Sequence, residues 1–505
     1  MASSYFSCLR RAGDPNIGVC DVRVQRSKDQ ELPHEQVGQT FMLRHCPALA
    51  AFYALRRSFG PLEAEGLPRK LLAVVLIAGA LAAPAADGPR VVRVLDISPV
   101  WAGHPVGFDL LTSNGRQFVA FYDEQRRMTV AARELKSDRW HLVRLPSEIG
   151  WDSHNYITMA ADDDGYIHLS GNMHVSPLVY FRTAKPWDID SFEAIHKMTG
   201  SEETRCTYPR FFRGPRNELI FTYRDGKSGN GNQIFNVYDH RSRTWRRLLD
   251  KPLLDGQGRM NAYIHGPIAG PDGFFHLVWV WRDTPDCSTN HDLSYARSRD
   301  LVHWETSAGK PLAVPIRVET GEIVDPVPVK GGLLNGAAKI AWDSKGRPVI
   351  TYHKFDARGR NQAYAARLEG GAWKIYQISN WDYRWEFQGG GSLPVVEIQL
   401  GTLRRGRAGE LLLDYRHIKY GSGVWRLDER TFKQIATLPV ERAWPAQLER
   451  PESSFPGIQV HLVPYRGQGD MTYLLRWETL GANRDRPREG PLPSPSMLRL
   501  YELAR

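Results

Sequence analysis

One structural unit recurs along most of this sequence. From about residue 104 the chain repeats a short apolar strand, a polar turn that usually contains glycine, and a more strongly apolar strand. Self-similarity at a period of roughly 40 to 50 residues or more is typical of propeller blades, each of which buries its apolar faces against its neighbours. Seven such segments begin at Val106, Asn155, Thr207, Ala262, Asn335, Leu393 and His461.

The repeats predict an all-β, seven-bladed β-propeller with four-stranded antiparallel blades. Each segment is followed by a third strand and often by a fourth with an aromatic tip, such as the one that ends at Trp304. Ring closure removes the sheet edges that would otherwise promote aggregation, and we expect residues 91–96 to complete the last blade. The 45 glycines and 33 prolines suit many short strands joined by tight turns. We place the propeller domain at residues 90–505.

The residues before position 90 have a different character. Arg69 and Lys70 precede an apolar run at 71–82, and small residues follow at 83–86. This order is typical of a secretory signal, and the run is too short to span a bilayer. We predict a signal-like segment at 69–86, preceded by a non-native or disordered leader at 1–68 that reflects a start codon assigned too far upstream. A signal anchor or a fortuitous apolar patch is the alternative.

Charge narrows the choice of partner. The formal net charge is +10, which is compatible with nucleic acid, membrane headgroups or an acidic polysaccharide. The sequence has no lysine or arginine run and no nucleic-acid motif. We therefore predict no nucleic acid, and the charge remains compatible with an acidic polysaccharide as the partner. The shortness of the apolar run at 71–82 predicts no stable membrane span, and we expect a monomer that is secreted or periplasmic.

Polar residues recur at one end of the predicted blades. The innermost strand of a blade and its neighbour are antiparallel, so the start of the first and the end of the second lie on the same face. His154 and Tyr208 are near first-strand starts, and His174 and Arg224 are near second-strand ends. Each has an ordinary structural explanation by itself, such as a hydrogen-bonded histidine or a loop-bracing arginine. Together they indicate a functional face at one mouth of the central channel.

These four residues resemble the catalytic set of BNR-repeat propeller polysaccharide lyases, namely ulvan lyases and the related rhamnosyl-glucuronate lyases. The motifs are SHNY, SGNMH, TYPRFF and TYRDGKSGNGN, with twenty residues from His154 to His174 and sixteen from Tyr208 to Arg224. The resemblance extends over about residues 100–480 and includes WDYRWEFQGGGS at 381–392. It implies β-elimination on a rhamnose–glucuronate type of polysaccharide, with no catalytic cofactor.

β-Elimination accounts for the residue types in the set. A base must remove the C5 proton of a uronate, and an acid must protonate the departing O4. Arg224 is the candidate for neutralising the carboxylate, because a guanidinium can engage it bidentately. Tyr208 and either His154 or His174 can supply the base and the acid. The sequence leaves open which residue does which.

Further contacts with the substrate are expected at the same mouth. Arg384 and Arg416 are candidates for binding carboxylates, and Trp381 is a candidate for stacking on a sugar face. Each has an equally weighted structural alternative, either a loop-bracing ion pair or a core aromatic.

A second cluster of residues has the composition of a zinc site. It consists of His265, Cys287, His291 and His353. Sulfur and nitrogen ligands in this number suit Zn²⁺, and the resemblance implies a structural metal rather than a catalytic one. The alternative is an unpaired cysteine beside ordinary histidines.

Two other functions compete with the lyase. One is a glycoside hydrolase on the same scaffold, either a rhamnosidase or a sialidase-like enzyme. Arg224, Arg384 and Arg416 would imitate the arginine triad of a sialidase, but no glutamate accompanies Tyr208. The other is a glycan-binding propeller without catalysis, because a fold does not establish a function.

Overall fold

The computed structural model of the protein describes residues 89–406, 408–467 and 469–504. These residues form seven antiparallel sheets, which are the blades of a β-propeller. Three short 3₁₀ turns interrupt the strands, at Ile189–Ser191, Cys287–Thr289 and Ala446–Glu449. The described segments contain no helix with the length and apolar character that a membrane crossing requires. The predicted leader at 1–68 and the signal-like segment at 69–86 lie outside the described residues.

Within each blade the four main strands are arranged in sequence order from the inner to the outer edge, except that β1 forms the outer edge of the last blade. Blade 1 contains β2 (Asp109–Ser113), β3 (Arg116–Tyr122), β4 (Arg127–Glu134) and β5 (His141–Glu148). Blade 2 contains β6 (Ile157–Ala161), β7 (Ile167–Gly171), β9 (Tyr180–Thr183) and β10 (Phe192–Ala194). Blade 3 contains β11 (Cys206–Arg213), β12 (Leu219–Lys227), β13 (Asn230–Asp239) and β14 (Thr244–Arg247), joined by β8 (His174–Ser176) and β15 (Leu254–Asp255).

The remaining blades repeat this pattern. Blade 4 contains β16 (Asn261–Ala269), β17 (Phe275–Arg282), β18 (Asn290–Ser298), β19 (Trp304–Glu305), β20 (Pro311–Leu312) and β21 (Glu322–Asp325). Blade 5 contains β22 (Lys339–Trp342), β23 (Pro348–Phe355), β24 (Asn361–Glu369) and β25 (Ala372–Gln377). Blade 6 contains β26 (Ile398–Leu400), β27 (Arg404–Arg405), β28 (Leu411–His417), β29 (Gly421–Leu427) and β30 (Gln434–Leu438). Blade 7 contains β31 (Ile458–Arg466), β32 (Thr472–Leu480), β33 (Ser496–Ala504) and β1 (Arg90–Val100).

The seven-bladed propeller predicted from the repeats is confirmed. Each of the seven repeated segments forms the inner hairpin of one blade. Blades 1, 2, 5 and 7 have four strands, whereas blades 3, 4 and 6 gain short extra strands from their connecting segments. The extra strands add pairing at the edges and leave the inner hairpins in place.

Strand β1 closes the ring by pairing with β33, as expected for residues 91–96. Val94 lies opposite Tyr501 in this antiparallel ladder, and Arg499 Nε donates to Asp96 Oδ1 at 2.6 Å. The side chains of β1 alternate between two faces, because successive residues of a strand point in opposite directions. Leu95 is 4% exposed and joins the apolar cluster shared with blades 1 and 2, whereas Val94 is 47% exposed.

This alternation predicts unequal effects of neighbouring substitutions. Leu95→Ala should destabilise the propeller by about 2–5 kcal/mol, because it leaves a cavity in the core. Val94→Ala shortens a neighbouring apolar side chain that faces solvent, so it should change the stability of the propeller little. The melting temperatures of the two full-length variants, followed by circular dichroism, test this. Equal losses in both would mean that β1 is not seated in the closing blade as described.

Candidate active site

Tyr208 lies at a β-bulge near the start of β11. The pairing between β11 and β12 shifts register between Thr207 and Arg210, and Tyr208 has a φ of 59°. A positive φ costs a bulky residue about 1–3 kcal/mol, and bulges re-aim side chains beside functional sites. The half-buried ring of Tyr208 lies 5.8 Å from the ring of His154, centroid to centroid.

His174 reaches the same place because its strand changes blade. Strand β7 ends at Gly171, and the next strand, β8, pairs with β11 of blade 3. His174 is opposite Thr207, and the Val175 amide donates to the Thr207 hydroxyl at 2.8 Å. The ring of His174 therefore lies 4.5 Å from that of His154, centroid to centroid.

Two carboxylates hold these histidines. Asp152 Oδ1 bonds Nδ1 of His154 at 2.8 Å, and its Oδ2 bonds Nδ1 of His174. Asp485, from the connection between β32 and β33, lies 3.2 Å from Nδ1 of His154. Asp485 is itself anchored by Ser392, whose amide and hydroxyl each donate to it at 2.8 Å. The histidine pair thus joins blade 2 to segments from blade 7 and from the connection before blade 6.

The carboxylates keep His154 protonated at neutral pH. Burial alone would lower the pKa of His154, but the hydrogen bonds and charges of Asp152 and Asp485 outweigh it and raise the pKa to about 9. Burial would likewise raise the pKa values of both acids, but their hydrogen bonds to the histidines hold them well below the usual range. A protonated His154 whose Nδ1 is bound has its Nε2–H available as a donor.

Asp152, His154 and His174 also have a spacing that could accommodate a metal ion. One ligand atom from each lies within 4.8 Å of the others, and no second group of this kind occurs in residues 89–406, 408–467 and 469–504. The hydrogen bonds from the two Nδ1 atoms to Asp152 account for this spacing without an ion.

A second tyrosine, Tyr263, belongs to the site, and the sequence analysis did not single it out. It occupies the start of β16 as Tyr208 occupies the start of β11, with ring centroids 6.0 Å apart. Its hydroxyl lies 2.5 Å from Ser228 Oγ and accepts from Arg282 Nη1 at 3.3 Å and Arg224 Nη1 at 3.5 Å. The recurrence of tyrosine at equivalent strand starts was the available signal.

The two tyrosines are electrostatically different. Burial raises the pKa of Tyr208 above its usual value, and Arg224 offsets only part of this effect. Burial acts in the same direction on Tyr263, but the nearby charges of Arg224 and Arg282 outweigh it and lower the pKa. The two guanidinium groups therefore favour the ionised form of Tyr263.

Arg224 lies beneath the two tyrosines. It is 1% exposed, and its guanidinium carbon is 5.0 Å from the ring centroid of Tyr208 and 5.8 Å from that of Tyr263. Its Nε donates to the Gly226 carbonyl at 3.3 Å, and Nη2 is buried with no hydrogen-bond partner among the described residues. The structure thus brings together the predicted set of His154, His174, Tyr208 and Arg224, with Arg224 buried beneath the two tyrosines.

The structure places the three predicted substrate-binding residues in different surroundings. Trp381 is 5% exposed and packs against His417, with ring centroids 4.5 Å apart, so its ring faces the core rather than solvent. Arg384 braces a loop through Glu386 at 2.6 Å and the Gly359 carbonyl at 2.7 Å. Arg416 is exposed and lies in a cleft between blades 5 and 6.

The predicted zinc ligands do not form one set. Ring nitrogens of His291 are each 3.0 Å from an aspartate oxygen, which already satisfies them. Cys287 is buried in an apolar cluster, and His353 is fully buried beside Trp385. Burial, with help from neighbouring cations, lowers the pKa of His265 to about 4. Among the described residues these four side chains form no group with metal-ligand spacing, and we derive no role for zinc from them.

Comparisons with known proteins agree with this fold. The BNR repeat-containing family matches residues 116–381, and no curated protein matches the chain. The solved structure of polysaccharide lyase Uly1 is 13% identical, with a TM-score of 0.55 over 82% of this chain and 99% of that one. A PL25 ulvan lyase bound to -[GlcA(1-4)Rha3S]- is also 13% identical, with a TM-score of 0.49 over 82% of this chain and 96% of that one. At such identities the likeness extends to the fold alone.

The ion pairs of His154 predict a pH dependence. Because its pKa in the folded state is about 9 and that of a free histidine is about 6.5, its contribution to stability is fully present below about pH 6.5. This contribution is lost as the pH rises through about 9.

Asp485→Asn should lower the pKa of His154, as measured by NMR titration of histidine-labelled protein, with His154→Gln for assignment. Asp300→Asn, beside the exposed His303, is the matched control. An unchanged His154 titration in Asp485→Asn would contradict the described contact.

Proposed function

The chain belongs to the BNR repeat-containing family, and from that membership together with its site we propose that it is a polysaccharide lyase. The proposed substrate is a uronic-acid polysaccharide of the rhamnose–glucuronate type, cleaved by β-elimination. The catalytic residues in this proposal are His154, His174, Tyr208 and Tyr263, with Arg224 behind them.

One observation carries the proposal. Tyr208 and Tyr263 lie side by side with ring centroids 6.0 Å apart, and the Tyr263 hydroxyl accepts from both Arg224 and Arg282. These two cations lower the pKa of Tyr263, whereas burial raises that of Tyr208. Groups whose pKa values are pushed apart are suited to act as the acid and the base of one reaction. A protonated His154 next to Tyr208 supplies positive charge, which a uronate needs before its C5 proton can be removed.

The roles follow from these environments. Tyr263, with the lowered pKa, takes the proton from C5, and the electron pair forms the C4–C5 double bond as the C4–O4 bond breaks. Tyr208, which retains its proton, delivers it to the departing O4. The imidazolium of His154 stabilises the negative charge that develops on the carboxylate, and Asp152 holds both histidines in place.

Arg224 acts in this proposal as a positioning residue. Its guanidinium is buried below the tyrosines, where it lowers the pKa of Tyr263 and donates to the Tyr263 hydroxyl. From sequence, Arg224 was predicted to contact the substrate carboxylate directly. Its depth favours an action through Tyr263, with its charge adding to that of His154.

The rival hydrolases find less support in this site. A glycosidase with two carboxyl groups needs one acid whose pKa is raised, so that it can protonate the leaving group. Asp152 and Asp485 are both held as carboxylates by the histidines, with pKa values below the usual range. Arg384, which would belong to a sialidase-like triad, is bound to Glu386.

The reaction class can be tested directly. We expect the protein to act on ulvan, gum arabic or another uronate glycan with a rise in ultraviolet absorbance from unsaturated uronyl ends, together with a fall in chain length. Shortening without absorbance would indicate a hydrolase. Binding without either change would indicate a glycan-binding propeller.

Substitutions distinguish the proposed roles. Tyr208→Phe and Tyr263→Phe should each lower kcat by ~10²–10³ while polymer binding persists, because they remove a proton-transfer group and little contact area. Tyr376→Phe is the matched control, since Tyr376 lies on the outer strand of blade 5 and its hydroxyl bonds Glu369 there.

The role of Arg224 can be tested through the pH profile of kcat/KM. Arg224→Gln should raise the pKa of Tyr263 and so move the acid limb of the kcat/KM profile to higher pH, whereas Arg224→Lys should restore part of the shift. If Arg224→Gln lowers the rate without moving that limb, the action through Tyr263 is wrong.

A further inference from the structure

A cleft of about 580 Å³ lies between blades 5 and 6. It is lined by Lys339, at the start of β22, and by Arg416, near the end of β28. Val396 and the half-exposed Val440 give it apolar walls. These positions correspond to the inner strand starts and second strand ends that build the catalytic mouth in blades 2, 3 and 4.

Lys339 is a half-buried cation without a carboxylate partner. No aspartate or glutamate oxygen lies within 4.0 Å of its Nζ in the described segments, and burial alone lowers its pKa. Its charge is one of the influences that, after burial, lower the pKa of His265 to about 4, so the neighbouring His265 offers no negative charge to Lys339. A half-buried ammonium without a carboxylate partner would be stabilised by an oxyanion.

Arg416 presents a second cation to the same space. Its Nε donates to the Gln399 amide oxygen at 3.0 Å, and its Nη2 donates to the Val396 carbonyl at 3.1 Å. These contacts orient the guanidinium without neutralising it. Asp414, a carboxylate that lines the cleft, is bound by Arg404 at 3.1 Å. The field in the cleft is therefore positive.

The cleft adjoins the candidate active site. Asn335 lines it and accepts a hydrogen bond at 3.3 Å from Arg282 Nη1, which also donates to the Tyr263 hydroxyl at 3.3 Å. Arg282 therefore links the Tyr263 hydroxyl directly to a residue of the cleft wall.

We propose that this cleft is an anionic subsite, in which Lys339 and Arg416 bind the carboxylate or sulfate ester of a sugar that flanks the cleaved uronate. The inference rests on the proposed function for the direction of the bound chain, while the anion site itself rests on the two unneutralised cations. It assigns polymer recognition to blades 5 and 6 and proton transfer to blades 2, 3 and 4.

Two measurements on the full chain test the subsite. Lys339→Gln and Arg416→Gln should each raise KM for a uronate polymer by about 10-fold, because each variant loses a charge-assisted hydrogen bond to the anion. We expect kcat to stay within about twofold, because neither residue touches the reacting atoms. Affinity electrophoresis in gels that contain the polymer measures binding independently of turnover. Lys374→Gln, an exposed cation on the outer strand of blade 5, is the matched control, and melting curves verify folding.

The outcomes separate the two proposals. If the wild type makes no unsaturated ends but its gel retardation depends on Lys339 and Arg416, the subsite stands and the lyase reaction is wrong. If both variants match the wild type in retardation and KM, the subsite is wrong whatever the reaction. A desulfated polymer distinguishes the ligands: the difference between variants and wild type disappears for a sulfate ligand and persists for a carboxylate.

Discussion

Antiparallel pairing of the two inner strands in each blade is the constraint on which this protein depends. It returns the second strand to the face where the first began, so that residues far apart in the chain converge on one mouth. His174 and Tyr208 meet there because β8 and β11 share a sheet. Tyr263 joins them from the equivalent point of the next blade. A site assembled in this way inherits the rigidity of the strands that carry it.

Neighbouring charges then give different protonation states to the side chains that the fold brings together. Asp152 and Asp485 maintain His154 as a cation, while Arg224 and Arg282 favour the ionised form of Tyr263. Tyr208, which is less affected by these charges, keeps its proton. The contrast depends on burial, because charges interact strongly only where water is excluded.

The sequence predicted those features that depend on periodicity. Blade number, ring closure by residues 91–96 and the grouping of His154, His174 and Tyr208 follow from where strands begin and end. Contacts made by long connections have no such pattern: Asp485 reaches Ser153 across 332 positions. The burial of Trp381 could not be predicted, because an aromatic residue in a loop can face either the core or solvent and the local sequence does not decide between them.

The pairing of the first described strand with the last has a consequence for the timing of folding. Asp96 and Arg499 are 403 positions apart, so the partner of β1 emerges from the ribosome long after β1 itself. Until then β1 has an unpaired edge, and the closing blade cannot form cooperatively. Contacts of such long range are slow to form because loop-closure entropy opposes them. The closing blade is therefore completed last, and until then the exposed edge of β1 must avoid pairing with wrong strands.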